Sequence, residues 1–166
     1  NNGQLLLLAI CIVFFSISTT GVHANGLLAR YFKSQEYPHI PYHELKATTT
    51  DSTIDFLWPQ NITAANVDLG KYYIGIIWSG FITFPDDDTY NFFFISNDGA
   101  KIYINNALVS DTWDSQEAAL SKFQLTMPAG TYPFFLQYYQ TKGGKKIKLL
   151  WKGSKTIDKR DRKSVV

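Results

Sequence analysis

Asn97, Asp98 and Gly99 stand together between two apolar-alternating runs, Thr89-Tyr90-Asn91-Phe92-Phe93-Phe94-Ile95-Ser96 before them and Ala100-Lys101-Ile102-Tyr103-Ile104 after them. Calcium takes about six to eight oxygens from carboxylates, amide and backbone carbonyls and water. Two adjacent oxygen-bearing side chains at a strand end supply part of such a shell if the peptide between them is unusual. The same tripeptide also fits a plain turn whose side chains cap backbone groups. On residue type alone both readings stand, and calcium is the one cofactor the chain suggests.

Other chemistry is thinly provided. His39 and His43 have Pro38 and Pro41 around and between them, and proline precludes the helix that sets such a pair on one zinc-binding face. Asp111 and Asp114 flank Trp113 in what reads as a loop, not an acid/base pair across a cleft. No serine stands in a nucleophile elbow and no glycine loop fits a phosphate. The chain is therefore expected not to be an enzyme.

The elements that must hold the tip are strands. Tyr and Phe, 10 and 12 of them, sit mostly in runs alternating with Ile and Leu, which favours sheet over helix. The segments 76–82, 88–92 and 96–104 read as three consecutive strands, with a Pro85-Asp86-Asp87-Asp88 hairpin turn and the Asn97-Asp98-Gly99 tip between them. Asn105-Asn106 divides 101–104 from 107–109 as a tight hairpin. Ala129-Gly130 and Gly143-Gly144 precede strands at 131–139 and 145–151. The region 34–71 is less regular, and Ile54-Asp55-Phe56-Leu57-Trp58 is its one clear strand. The expected fold is all-β, an antiparallel sandwich or barrel, with a single domain within the 166 residues. Trp78, Phe92, Phe94, Ile102, Ile104 and Trp151 are its expected core.

Residues 5–17 form an apolar run too short for the roughly 20 residues of a spanning helix, and Gly21-Val22-His23-Ala24 ends it with small residues. It reads as a signal peptide, 1–24, cut after Ala24. With no initiator Met or basic flank ahead of that run, the chain is expected to begin inside a longer reading frame. Cys11, the only cysteine, falls in this segment, so the mature domain needs no disulfide. The mature domain is expected at 25–153, followed by a basic linker, 154–166, with Lys159-Arg160-Asp161-Arg162 open to a protease and more protein beyond Val166. Asn61-Ile62-Thr63 is a glycosylation sequon.

The net charge of +2 hides an asymmetry: 6 Lys+Arg against 12 Asp+Glu up to Thr141, and 10 against 2 from Lys142 onward. An acidic body suits cation binding and argues against nucleic acid as a partner. Lys146, Lys148 and Lys152 alternate with Ile147, Leu149 and Trp151, giving one buried and one lysine-bearing face. That pattern reads as an edge strand guarded by lysines, or as a surface for an anionic partner such as acidic glycan or phospholipid headgroups.

Several motifs in order resemble a known family, the protective-antigen (PA-14) domain. They are Gly26-Leu27-Leu28-Ala29-Arg30-Tyr31-Phe32, Trp78-Ser79-Gly80-Phe81, Thr89-Tyr90-Asn91-Phe92, Ser96-Asn97-Asp98-Gly99-Ala100-Lys101-Ile102-Tyr103-Ile104, Pro128-Ala129-Gly130-Thr131-Tyr132-Pro133, Tyr138-Tyr139-Gln140 and Ile147-Lys148-Leu149-Leu150-Trp151. The resemblance runs from about Asn25 to about Trp151. It implies a β-sandwich used in secreted or cell-surface proteins. In the family's lectins, such as flocculins and epithelial adhesins, two consecutive aspartates joined by a cis peptide hold calcium with an asparagine from a later loop, and sugar hydroxyls bind that calcium.

By that resemblance Asn97 and Asp98 take the aspartate positions and Gln140 falls near the later asparagine, with the 141–144 loop offering carbonyls. Asn97, Asp98 and Gln140 are thus the expected metal site, and the same three with Trp113 the expected carbohydrate site. Two departures, an amide for a carboxylate and Gln for Asn, weaken it. The implied function is a carbohydrate-binding or adhesion module that takes glycans or glycoproteins, without stable membrane insertion and monomeric as an isolated domain. The alternative is a non-catalytic structural or regulatory domain at the front of a larger secreted protein, as in toxin binding components.

Overall fold

The computed structural model describes residues 26–35, 40–114, 118–154 and 163–164. The segment 1–24 read as a signal peptide, Cys11, His39 and the Lys159–Arg162 cluster lie outside the described residues. The fold is all-β. One sheet holds β1 (Leu27–Gln35), β2 (Ile40–Asp51), β6 (Ile74–Phe84), β8 (Ala100–Ile104), β9 (Ala107–Asp111) and β11 (Gly130–Gln140), in the order β2-β1-β6-β11-β8-β9. The second holds β7 (Asp88–Asn97), β10 (Ala119–Met127), β12 (Lys146–Gly153) and β13 (Lys163–Ser164), in the order β10-β7-β12-β13, with β3 (Asp55–Leu57) also paired to β12. A small ribbon joins β4 (Ile62–Ala64) and β5 (Val67–Gly70).

The core follows from period-two alternation. Strand β7 buries every second residue, from Asp88 through Tyr90, Phe92 and Phe94 to Ser96, and β12 buries Ile147, Leu149 and Trp151. All six residues expected as core are buried, and rings meet across the sandwich, Phe84 lying 4.4 Å from Tyr90 and 5.4 Å from Trp151. The indole nitrogen of Trp151 is buried there without a hydrogen-bond partner.

The turn at residues 85–87 is not a hairpin. Strand β6 pairs with β1 and β11, whereas β7 pairs with β10 and β12, so the chain arches from one sheet to the other. Alternation dictates which side of a strand is buried, and Phe84 and Tyr90 satisfy it by facing each other across the core. The Asn105-Asn106 expectation holds: both residues have positive φ, 51° and 63°, and Ile104 pairs with Ala107, as a primed two-residue turn requires. Ala65 and Asn66, at 49° and 63°, close the β4–β5 ribbon in the same way.

Strand β12 is not an edge either. On one side it pairs with β7 along its length. On the other, β3 covers residues 146–148 and β13 covers Leu150 and Trp151. Its lysines do face outward as expected, and Lys148 pairs with Asp55 at 2.6 Å. The region read as irregular contains the 12-residue β2, which carries His43. It forms the sheet's edge with residues 43–46 exposed, so it lacks the alternation that reveals a strand.

Candidate functional site

Two arches lie side by side at one end of the sandwich, and register explains why. The residues 98–99 carry the chain from β7 to β8, and residues 141–145 carry it from β11 back to β12. Because β7 pairs with β12, with Asn97 opposite Lys146, and β8 pairs with β11, with Ala100 opposite Tyr138, both crossovers emerge together.

Asp98 is buried, at 1% exposure. Its Oδ2 accepts from the backbone N–H and the hydroxyl of Thr141, each at 2.6 Å. Its Oδ1 lies 3.0 Å from the end of the Asn97 amide, which lies 3.0 Å from the carbonyl of Gly144. With the Asn97 oxygen at that point, three oxygens would face one another with no hydrogen between them, an arrangement that needs a cation to satisfy it. With the amide turned over, its nitrogen donates to both neighbours. The Asn97–Asp98 peptide bond is cis.

Beneath this cluster sits Tyr138, whose hydroxyl donates toward the Asn97 carbonyl and toward Gln140 Oε1, the latter at 2.8 Å. One proton serves two acceptors. Burial, and then the charge of Asp98, push this phenol well above its ordinary pKa. Gln140, itself buried, donates from Nε2 to the Lys142 carbonyl at 2.9 Å. Gln140 thus pins the 141–145 arch and reaches Asn97 only through Tyr138; its oxygen is occupied by that phenol.

Trp113 stands beside the tip. Its carbonyl accepts from Tyr139 at 2.6 Å, its ring meets the Tyr139 ring edge-on at 4.7 Å, and Lys101 Nζ lies 5.4 Å from its centroid. Gly99 makes this approach possible. A Cβ there would lie 2.2 Å from the Trp113 carbonyl and 2.3 Å from the Tyr139 ring. Asp111 caps the Trp113 N–H at 2.9 Å and pairs with Lys101 at 3.3 Å, so it stabilises the loop.

The two acceptors facing the Asn97 amide, one carboxylate oxygen and one backbone carbonyl, are hard oxygens of the kind calcium takes, and 3.0 Å is a spacing that neighbouring ligands of one ion share. Among the described residues no group of three or more His, Cys, Asp or Glu comes together, so a cation here depends on the single Asp98 carboxylate with amide, carbonyl and water oxygens. Sequence reasoning missed Thr141 as the holder of Asp98 and Tyr138 as the floor. The signal available was only that Thr141 follows the Tyr138-Tyr139-Gln140 motif.

The anti-sigma-I factor RsgI3 of Acetivibrio thermocellus is 26% identical over 128 residues, which cover 76% of this chain and 19% of that protein. The chain therefore spans less than a fifth of its curated relative. Among solved structures, the PA14 domain of the antifreeze protein MpAFP superposes with a TM-score of 0.69 at 16% identity, covering 87% of this chain and 90% of that one. The PA14 sugar-binding domain from an RTX adhesin gives 0.64 at 16% identity, covering 80% and 92%. The PA14 domain family matches residues 20–164, most of the chain and every element from β1 to β13, and the chain belongs to that family.

Proposed function

We propose that this PA14 domain is a glycan-binding module, secreted or displayed at a cell surface, whose tip engages sugar hydroxyls with the help of a weakly held calcium ion. Asn97, Asp98 and the Gly144 carbonyl supply the protein oxygens. Gln140 shapes the loop through Lys142, and Trp113 offers an aromatic wall beside it. The observation that supports this is the convergence of the Asn97 amide on Asp98 Oδ1 and the Gly144 carbonyl at 3.0 Å, with Asp98 Oδ2 already fixed by Thr141. The relative described as a sugar-binding adhesin domain supports the same ligand class. Calcium would supply a Lewis-acidic anchor for a vicinal diol, and the protein residues orient it.

A second reading is a non-catalytic structural or regulatory domain of a larger secreted protein. It draws on the same cluster, since the turned Asn97 amide satisfies Asp98 and Gly144 by hydrogen bonds without any ion. Calorimetric titration of calcium separates the two. Binding that Asp98→Ala abolishes and Asn97→Asp tightens, together with chelator-sensitive retention on a glycan array, supports the lectin. No heat from the parent or from Asn97→Asp supports the structural domain.

A further inference from the structure

The outer face of the second sheet carries side chains that the tip does not use. Strand β7 turns Phe93 and Ile95 outward, β12 turns out Leu150 among its lysines, and β10 turns out Leu120 and Lys122. Register sets them in rows: Leu150 and Lys122 lie on either side of Phe93, and Lys148 and Leu120 on either side of Ile95. A groove of about 270 Å³ runs over these apolar groups, with Lys122 and Lys152 along it. Leu120, near the start of the edge strand β10, is 58% exposed. The one carboxylate turned outward from β3, β7, β10 and β12 is Asp55, already paired with Lys148.

Hydrocarbon at the centre and ammonium groups around it, with almost no acid, match one kind of surface. Sugar hydroxyls need acceptors as well as donors at fixed positions, and the groove lining has only ammonium donors and apolar groups. Lysine stems lie along apolar surface while their heads reach outward. Up to Thr141 the chain holds 12 Asp+Glu against 6 Lys+Arg, and one of those six, Lys122, stands on this face, so an anionic plane attracts this face more than the acidic remainder of that stretch.

We propose that this face docks on an anionic membrane surface. Leu120, Phe93, Ile95 and Leu150 enter the boundary between headgroups and acyl chains, and Lys122, Lys146 and Lys152 pair with lipid phosphates. The domain lies on the bilayer without inserting through it, and Asn97, opposite Lys146 in register, sits at the rim of the contact. Each lysine near an anionic leaflet adds about fivefold to binding, an effect that salt screens.

The test is co-sedimentation of the full chain with vesicles of phosphatidylcholine alone and of equimolar phosphatidylcholine and phosphatidylglycerol. The expected result is preference for the anionic vesicles, lost at high salt. Lys122→Glu with Lys152→Glu should weaken anionic binding by about a hundredfold or more, and Lys122→Gln with Lys152→Gln should lie between that variant and the parent. Leu120→Ser should weaken binding several-fold with the salt dependence retained. Binding to phosphatidylcholine alone, which the apolar run at residues 5–17 can drive, is measured for each variant and subtracted before the comparison. Equal anionic binding by the parent and the charge-reversed variant, each shown folded by its thermal transition, overturns the proposal. Indifference to Leu120→Ser combined with displacement by soluble heparin also overturns it, in favour of an acidic polymer.

Discussion

Thr141 grips Asp98 from across the sandwich end with both its backbone N–H and its hydroxyl, each 2.6 Å from the same carboxylate oxygen, although 43 residues separate the two in sequence. The other oxygen of Asp98 is thereby turned toward Asn97. Hydrogen bonds to a charged group contribute about 1.5–3 kcal/mol. Thr141→Val should therefore lower stability by roughly that amount and weaken any calcium binding, while Thr141→Ser should retain both. Urea denaturation read beside calcium calorimetry checks the pair, and equal behaviour of Val and Ser would show the hydroxyl to be idle.

Gly99→Ala should be among the most damaging small changes. Its new methyl would meet the Trp113 carbonyl and the Tyr139 ring well inside contact distance, and neither gives way freely because they are bonded to each other. Overpacking of this kind costs about 1–3 kcal/mol. A urea midpoint within error of the parent's would mean that the 111–114 loop moves aside.

Trp151→Ala should cost about 3–5 kcal/mol, since the ring packs against Phe84, Tyr90 and Phe92. Trp151→Phe should be milder, because it removes an indole N–H that has no partner. Lys148→Ala loses only a half-exposed ion pair with Asp55, worth about 0–1 kcal/mol. Chemical denaturation ranks the three, and a Lys148 effect as large as that of Trp151→Ala would reverse the assigned faces of β12.

Alkaline pH should unfold the domain steeply. The phenols of Tyr31, Tyr42 and Tyr138 are all raised by burial first, with Asp51 adding for Tyr31 and Asp98 for Tyr138. The folded state holds these protons more tightly than the unfolded chain does. The stabilisation is thus complete below the unfolded phenol value of about 10 and is lost progressively as pH rises above it. Tyrosinate absorbance should rise together with loss of the β-sheet dichroism, and normal titration of these phenols in a folded protein would refute the burial assigned to them.

Much of this architecture is legible in the sequence, because alternation marks which side of β6, β7, β8, β11 and β12 is buried. What alternation does not carry is which sheet a strand joins. Phe84 and Tyr90 obey the pattern equally well in a hairpin and in an arch, and only pairing with distant β10, β11 and β12 decides between them. Strand β2 escaped notice because its edge position exposes residues 43–46. The β4–β5 ribbon escaped because Ala65 gives no turn signal of its own. At the tip, Asn97 and Asp98 were visible as polar residues between apolar runs. The grip of Thr141 and the Tyr138 floor were not, since both depend on two arches that share no local sequence.

Those arches also govern how the chain acquires its shape. Strands β6, β8 and β11 lie in one sheet while β7, β10 and β12, which alternate with them along the chain, lie in the other. Neither sheet is therefore a contiguous stretch that can form ahead of its partner. Strand β11 inserts between β6 and β8, so a break at Asn105-Asn106 would leave two fragments, each holding strands of both sheets and each dependent on the other. Domains dominated by such non-local pairing fold in milliseconds to seconds, far slower than helical bundles. This one is built to fold cooperatively, with its tip assembled only when β7 has met β12 and β8 has met β11.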